Sequence, residues 1–204
     1  MGGESVSGYY ADILICIRIY ERERSKEMEL QEVLETRRSV RAYLDREVEQ
    51  EKIEQMIQAA ILAPSWKNSQ VTRYYVVRGK EKLADVKAAL PEFNRNNVKD
   101  APVLIVTTIV LNRSGFERTG EPSNELGNGW GYYDCGLHNM NLLLKATELG
   151  LSTLVMGIRD ADKLHMILDI PETESVVSVI SAGYSDNLPQ KPKRKNVQDI
   201  MRVF

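Results

Sequence analysis

Cysteine and histidine are nearly missing from this chain, with two of each in 204 residues. Cys16 and Cys135 can build no disulfide framework, and neither has a partner at Cys-x-x-Cys spacing. A reducing, cytoplasmic compartment is therefore the expectation. Cys135 and His138 stand three apart on an expected helix. A structural zinc site takes about four ligands, and no others accompany this pair, so no metal is expected. Excess charge is absent too: 27 basic against 29 acidic side chains leave a net charge of -2. Nucleic-acid binders usually carry a basic domain, so that partner is not expected. Long apolar runs are also lacking. The stretch from Ala11 to Tyr20 is too short to span a bilayer and Arg18 interrupts it, so no membrane partner is expected.

What is present suits one globular α+β domain with a substantial core, 43% hydrophobic and 27% charged. Residues 1–27 stand apart from it. Ile13, Ile15, Ile17 and Ile19 alternate with a strand-like period and run into the polar stretch Glu21 to Glu27. No basic segment precedes that run, so no secretory signal is expected. Val6 occupies the position where myristoylation requires Ser or Thr. Two readings of residues 1–27 remain: an N-terminal extension, disordered or from a misassigned start, or an arm packing on a partner subunit.

Elsewhere the apolar spacing predicts helices over Glu29 to Glu35, Val48 to Leu62, Lys80 to Leu90, Tyr132 to Leu149 and Ala161 to Leu168. Strands are expected over Val71 to Val77, Val103 to Leu111, Thr153 to Met156 and Val176 to Ala182. The run Val103 to Leu111 is apolar almost throughout, which fits a strand buried on both faces. Asn112 to Gly131 holds five glycines among Asn, Ser and Pro and reads as a long mobile loop. Its two large aromatics, Phe116 and Trp130, suit a lid over a planar ligand.

Thr36-Arg37-Arg38-Ser39-Val40-Arg41 packs three guanidiniums and a hydroxyl into five consecutive positions, 37 to 41. Guanidinium forks match phosphate oxygens, and such charge-assisted bonds are about twice as strong as neutral ones. The cluster falls near the carboxyl end of a helix, where the dipole repels an anion. The arginines would have to supply the attraction themselves. The other reading is a basic helix terminus that complements the dipole.

The company this motif keeps favours phosphate. Arg37-Arg38-Ser39-Val40-Arg41 follows shortly after Met28-Glu29-Leu30, and Ala63-Pro64-Ser65-Trp66-Lys67-Asn68-Ser69-Gln70 comes about two dozen residues later. Asn141 to Ala146, then Gly150-Leu151-Ser152-Thr153-Leu154-Val155-Met156-Gly157, then Ala182-Gly183-Tyr184 and Lys191-Pro192-Lys193-Arg194-Lys195 complete the series. In this order, residues 28–204 resemble the nitroreductase family of flavin enzymes.

That resemblance implies a domain over 28–204 with a central mixed or antiparallel sheet flanked by helices, forming an intertwined homodimer with the flavin near the subunit interface. It implies FMN as cofactor and NAD(P)H as co-substrate. Arg37, Arg38, Ser39, Arg41, Lys193 and Lys195 match the phosphate ligands, while Asn68, flanked by Pro64, Ser65 and Gln70, matches the amide at the flavin's polar edge. An amide both donates and accepts, as that edge requires. Met156, Gly157 and Ile158 match the backbone beside flavin N5. Two departures stand out: Gly157-Ile158 where the family often has Gly-Gly, and Val71-Thr72 where it often has Pro-Trp. No side-chain catalyst is expected, because the flavin carries the chemistry; Glu121, Glu125 and Asp134 read as solvated carboxylates. The implied activity passes reducing equivalents from NAD(P)H to a small acceptor such as a nitroaromatic or quinone. The alternatives are an FMN storage or sensor protein without fast turnover, and a specialised, dehalogenase-like flavin enzyme.

Overall fold

The structure, a computed structural model, describes residues 28–204. The alternating isoleucines lie outside the described residues. The chain divides into two compact units that meet between Thr36 and Arg37. In the first, helix α1 (Leu30–Thr36) closes with the Thr36 hydroxyl donating to the Glu32 carbonyl at 2.7 Å.

The second unit is built on four strands, β1 (Thr72–Val77), β2 (Val103–Val110), β3 (Ser152–Met156) and β4 (Glu174–Gly183), in the order β1-β2-β4-β3. All three strand pairings are antiparallel, and a single parallel bridge, Ser39 to Thr153, extends the sheet beyond β3. β2 is buried on both faces, as its apolar run predicts. Period-2 alternation sends Val103 and Ile105 to one side and Leu104 and Val106 to the other. On the first side they meet Ile53, Met56 and Ala60 of α2 (Gln50–Ile61) and Leu142 and Ala146 of α5 (Gly129–Glu148). On the second they meet Leu83 and Val86 of α3 (Lys80–Ala88) and Leu164 of α6 (Ala161–Leu168). Two short helices were not anticipated: α4 (Glu92–Asn97) after Pro91, and α7 (Val197–Ile200), whose Asn196 and Asp199 form a reciprocal capping box.

The stretch read as a mobile loop is instead tied to itself. The Ser123 N–H donates to Gly115 O and the Glu117 N–H to Glu121 O, each at 2.8 Å. Asn112 and Asn128 join at both ends, through Asn112 N–H to Asn128 Oδ1 at 2.8 Å and Asn128 Nδ2 to Asn112 Oδ1 at 3.0 Å. Gly115, at φ 83, lets the chain turn so tightly that a Cβ there would stand 2.3 Å from the Gly127 carbonyl. Part of the polar content, Asn112, Glu117, Ser123, Asn124 and Asn128, bonds to neighbouring side chains or backbone, while Arg113, Arg118 and Glu125 face solvent. Residues 129–131 belong to α5, so Trp130 lies on a helix and not on the loop.

Candidate functional site

The basic segment runs beside β3, joined to it at the Ser39–Thr153 bridge. Val40 and Tyr43 are buried, Ser39 and Arg41 exposed, Arg37 and Arg38 half-buried. The Val40 N–H donates to Thr153 O at 2.9 Å and the Leu44 N–H to Tyr184 O at 2.8 Å. Tyr43 closes the inner side, its hydroxyl 2.7 Å from Ser181 Oγ and 3.1 Å from Val40 O, with burial pushing its pKa up to about 12. The guanidiniums are thereby set along the outer edge of β3. Burial lowers the pKa of Arg37, and the charges of Arg194 and Arg38 lower it further. The C-terminal tract has thus returned to the first cluster. The residue whose charge acts on Arg37 is Arg194, between Lys193 and Lys195, which are both exposed. It was overlooked although it lies in the same basic run.

The second segment, 63–70, is held in an unusual conformation. Around a 3-10 turn (Trp66–Asn68), Lys67, Asn68 and Gln70 have φ values of 46, 54 and 48°. Left-handed residues other than glycine cost about 1–3 kcal/mol each and persist where their surroundings over-determine them. The Gln70 N–H donates to Ser65 Oγ at 3.0 Å. The Trp66 N–H donates to both carboxylate oxygens of Asp134 at 3.1 Å, and Ser114 Oγ donates to Asp134 Oδ2 at 2.6 Å. Asp134 is only 2% exposed. The reading of it as a solvated carboxylate is therefore corrected: it lies on the inner side of α5, beneath the turn. Pro64, Asn68 and Gln70 face solvent and Ser65 is half-buried.

Beside this turn, the Trp66 and Trp130 rings meet at a tilt of 46° with centroids 4.5 Å apart, and Tyr133 lies 5.7 Å from Trp130. Trp130 Nε1 donates to Asn124 at 2.9 Å, and Lys67 pairs with Glu117 at 2.9 Å. Phe116 is half-buried within the loop near Gly127. The 112–128 loop and the 63–70 segment therefore share one set of contacts.

At the end of β3, Met156 is buried while Gly157 and Ile158 are exposed. A Cβ on Gly157 would meet nothing within 4 Å. The following turn is steadied by Asn94, whose amide donates to Ile158 O at 3.0 Å.

The sheet brings some of these groups together and separates others. Arg37 to Arg41, Arg194 and the Met156–Ile158 turn gather at the β3 edge. Asn68 lies just before β1, on the opposite edge, with β2 and β4 between. Adjacent strands are about 4.8 Å apart, so the two edges stand about 14 Å apart.

Known proteins resemble this chain in sequence and in fold. The family model described as Nitroreductase family matches residues 34–97 and 87–184. A relative from Methanothermobacter thermautotrophicus, provisionally named NADH dehydrogenase/NAD(P)H nitroreductase, is 33% identical over 166 residues, 79% of this chain and 80% of its own length. Among solved structures, an FMN-dependent nitroreductase from Clostridium difficile R20291 is 30% identical with a TM-score of 0.61, covering 82% of this chain and 92% of its own. A structure from Exiguobacterium sibiricum, provisionally called a nitroreductase and solved in complex with FMN, shares the fold at 21% identity and a TM-score of 0.77, over 87% and 98% of the two chains. With the family model matching most of its length and a relative 33% identical over about four-fifths of both chains, the chain belongs to the nitroreductase family.

Proposed function

We propose that the protein is an FMN-dependent oxidoreductase that accepts reducing equivalents from NAD(P)H and passes them, in ping-pong order, to a small acceptor of the nitroaromatic or quinone class. The observation that carries this is the basic segment with Arg37 and Arg38 held along the outer edge of β3 by the Ser39–Thr153 bridge and the Val40 N–H to Thr153 O bond at 2.9 Å, with the charge of Arg194 acting on Arg37 from the C-terminal tract. Such a cradle fits a doubly charged phosphate monoester, which FMN has; FAD esterifies that phosphate and leaves one fewer charge. Ser39, Arg41, Lys193 and Lys195 are exposed on the same two segments and add donors. The Met156–Ile158 backbone, open at Gly157, leaves room for a ring to approach. The names of the relatives support the same cofactor and co-substrate.

When bound, FMN supplies the hydride and electron transfer, so the protein's task is binding, orientation and electrostatics. Asn68 offers a donor and an acceptor for the ring's polar edge. In this reading Asn68, at the sheet edge opposite the basic cluster, acts on the flavin held by a second copy of the chain, with one site at each subunit boundary. Apolar side chains left exposed on the C-terminal arm, among them Leu188, Ile200, Val203 and Phe204, suit an arm that packs on that copy. Among the described residues no helix is long and apolar enough to cross a membrane. The test is to purify the protein and add NADH or NADPH without oxygen. A yellow protein whose visible absorbance bleaches and returns on adding a quinone supports the reading. A flavin indifferent to both nucleotides would point to storage.

A further inference from the structure

We infer that Asp134 is the positioning residue that holds Asn68 at the flavin's polar edge; this rests on the FMN reading above. Asp134 is a carboxylate with 2% of its surface exposed. Burying such a group is costly unless hydrogen bonds replace its water. Those bonds come from neutral donors on two separate segments: the Trp66 N–H at 3.1 Å to each oxygen, Ser69 Oγ at 3.5 Å and Ser114 Oγ at 2.6 Å. None of these donors lies on α5 itself. The carboxylate therefore works outward, fastening two loops to a rigid helix.

The place where it pulls matters. Trp66 begins the turn, and the residues it feeds, Lys67, Asn68 and Gln70, are three of the five left-handed residues other than glycine among the described ones. Strain of that kind relaxes when its restraint is removed. Some restraints are local: Asn68 N–H to Ser65 O at 3.0 Å, Ser69 N–H to Trp66 O at 2.8 Å and Gln70 N–H to Ser65 Oγ at 3.0 Å. They shape the turn from within; outward it is held by the Trp66–Trp130 ring contact at 4.5 Å, by the exposed Lys67–Glu117 pair at 2.9 Å, and by Asp134. Of these ties Asp134 is the buried hydrogen-bonding one, and it grips the backbone at the turn's first residue. Through Ser114 the same carboxylate also fixes the loop carrying Phe116 and Glu117, and Glu117 pairs with Lys67. The ring-edge amide and the loop beside it thus share one anchor.

The experiment uses full-length protein, with FMN and riboflavin binding followed by quenching of flavin fluorescence, for Asp134→Asn, Asn68→Ala and the double variant. Asp134→Asn keeps the shape and removes the charge. It should weaken both flavins by about tenfold, the scale for losing a hydrogen bond to a charged group. The same loss is expected for Asn68→Ala, and the double variant should be no weaker than either single one, since both act through one contact. Wild-type riboflavin affinity in Asp134→Asn, or losses that multiply in the double variant, overturns the inference. Should Asp134→Asn fail to fold, Ser114→Ala removes one donor only. It should give a smaller loss of the same kind, again absent on the Asn68→Ala background, and no loss overturns the inference. Trp66 and Trp130 are the chain's two tryptophans, so their near-ultraviolet dichroism reports the turn without flavin. It should change in Asp134→Asn, and an unchanged spectrum counts against the anchor. Wild-type protein that takes up neither flavin overturns the FMN reading and this inference together. Wild type that binds flavin beside an Asp134→Asn that binds equally well overturns the inference alone.

Discussion

Replacing Arg37 with alanine should weaken FMN and leave riboflavin untouched, because the two differ only in the phosphate. Arg37 is half-buried beside β3, so its hydrogen bonds to a phosphate would be partly shielded from water. A hydrogen bond to a charged group is worth about 1.5–3 kcal/mol, or a rise in Kd of about ten- to 150-fold. A second effect runs the other way in the empty protein. There Arg37 is disfavoured by burial and by the charges of Arg194 and Arg38. Its removal relieves that repulsion, so the flavin-free variant should melt no lower than wild type. Titrating apo-protein with FMN and riboflavin, alongside thermal melts, separates the two effects. High salt should narrow the gap between variant and wild type, because screening weakens what Arg37 contributes. An equal loss for riboflavin, or a lower melting temperature of the apo-protein, would refute the phosphate assignment and make Arg37 an ordinary structural residue.

Stability should fall with acid in a way that involves His138. Burial holds its pKa below the ordinary value near 6.5, with Asp134 pulling the other way, and neither ring nitrogen has a hydrogen-bond partner among the described residues. The unfolded chain takes up a proton that the folded one resists, so this contribution is complete above about pH 6.5 and is lost as the pH drops toward the folded value. Urea midpoints should decline over that window, and His138→Leu should flatten the decline; an unchanged slope counts against it. Gly183→Ala should destabilise by about 1–3 kcal/mol through overpacking, since its Cβ would stand 2.8 Å from Pro102 Cδ and 2.9 Å from Tyr43 Cδ1; an unshifted denaturation midpoint refutes this. Sedimentation should find a homodimer, and a monomer that keeps its flavin would sink the two-copy site. Phe116→Ala and Trp130→Ala should change the relative rates with nitroaromatics and quinones at constant FMN content; an unaltered preference removes both from acceptor selection.

Much of this was legible in the residues themselves. Continuous apolar content placed Val103 to Leu111 at the centre of the sheet, and β2 is buried there. Spacing gave Ala161 to Leu168 as a helix with the bounds observed. These are local properties, set by side-chain period and backbone preference, and a sequence carries them directly. The Asn112 to Gly131 stretch was misjudged because composition reports what a segment lacks. It does not report which of its polar groups find each other.

Within the candidate site the division is similar. The residue types at 37–41 gave grounds to expect a phosphate site before any fold was known, since charge and donor geometry belong to the side chains. That Arg194 should meet Arg37 depends on a chain reversal across more than 150 positions. Asp134 looked like any other acid until α5 turned it inward under Trp66. The separation of Asn68 from the β3 edge follows from strand order alone, because four strands of fixed spacing set a width that no local pattern encodes. The sequence by itself determined which chemistry the side chains can perform; only the tertiary structure decided which of them share a place, because burial and long-range pairing are properties of the packed chain.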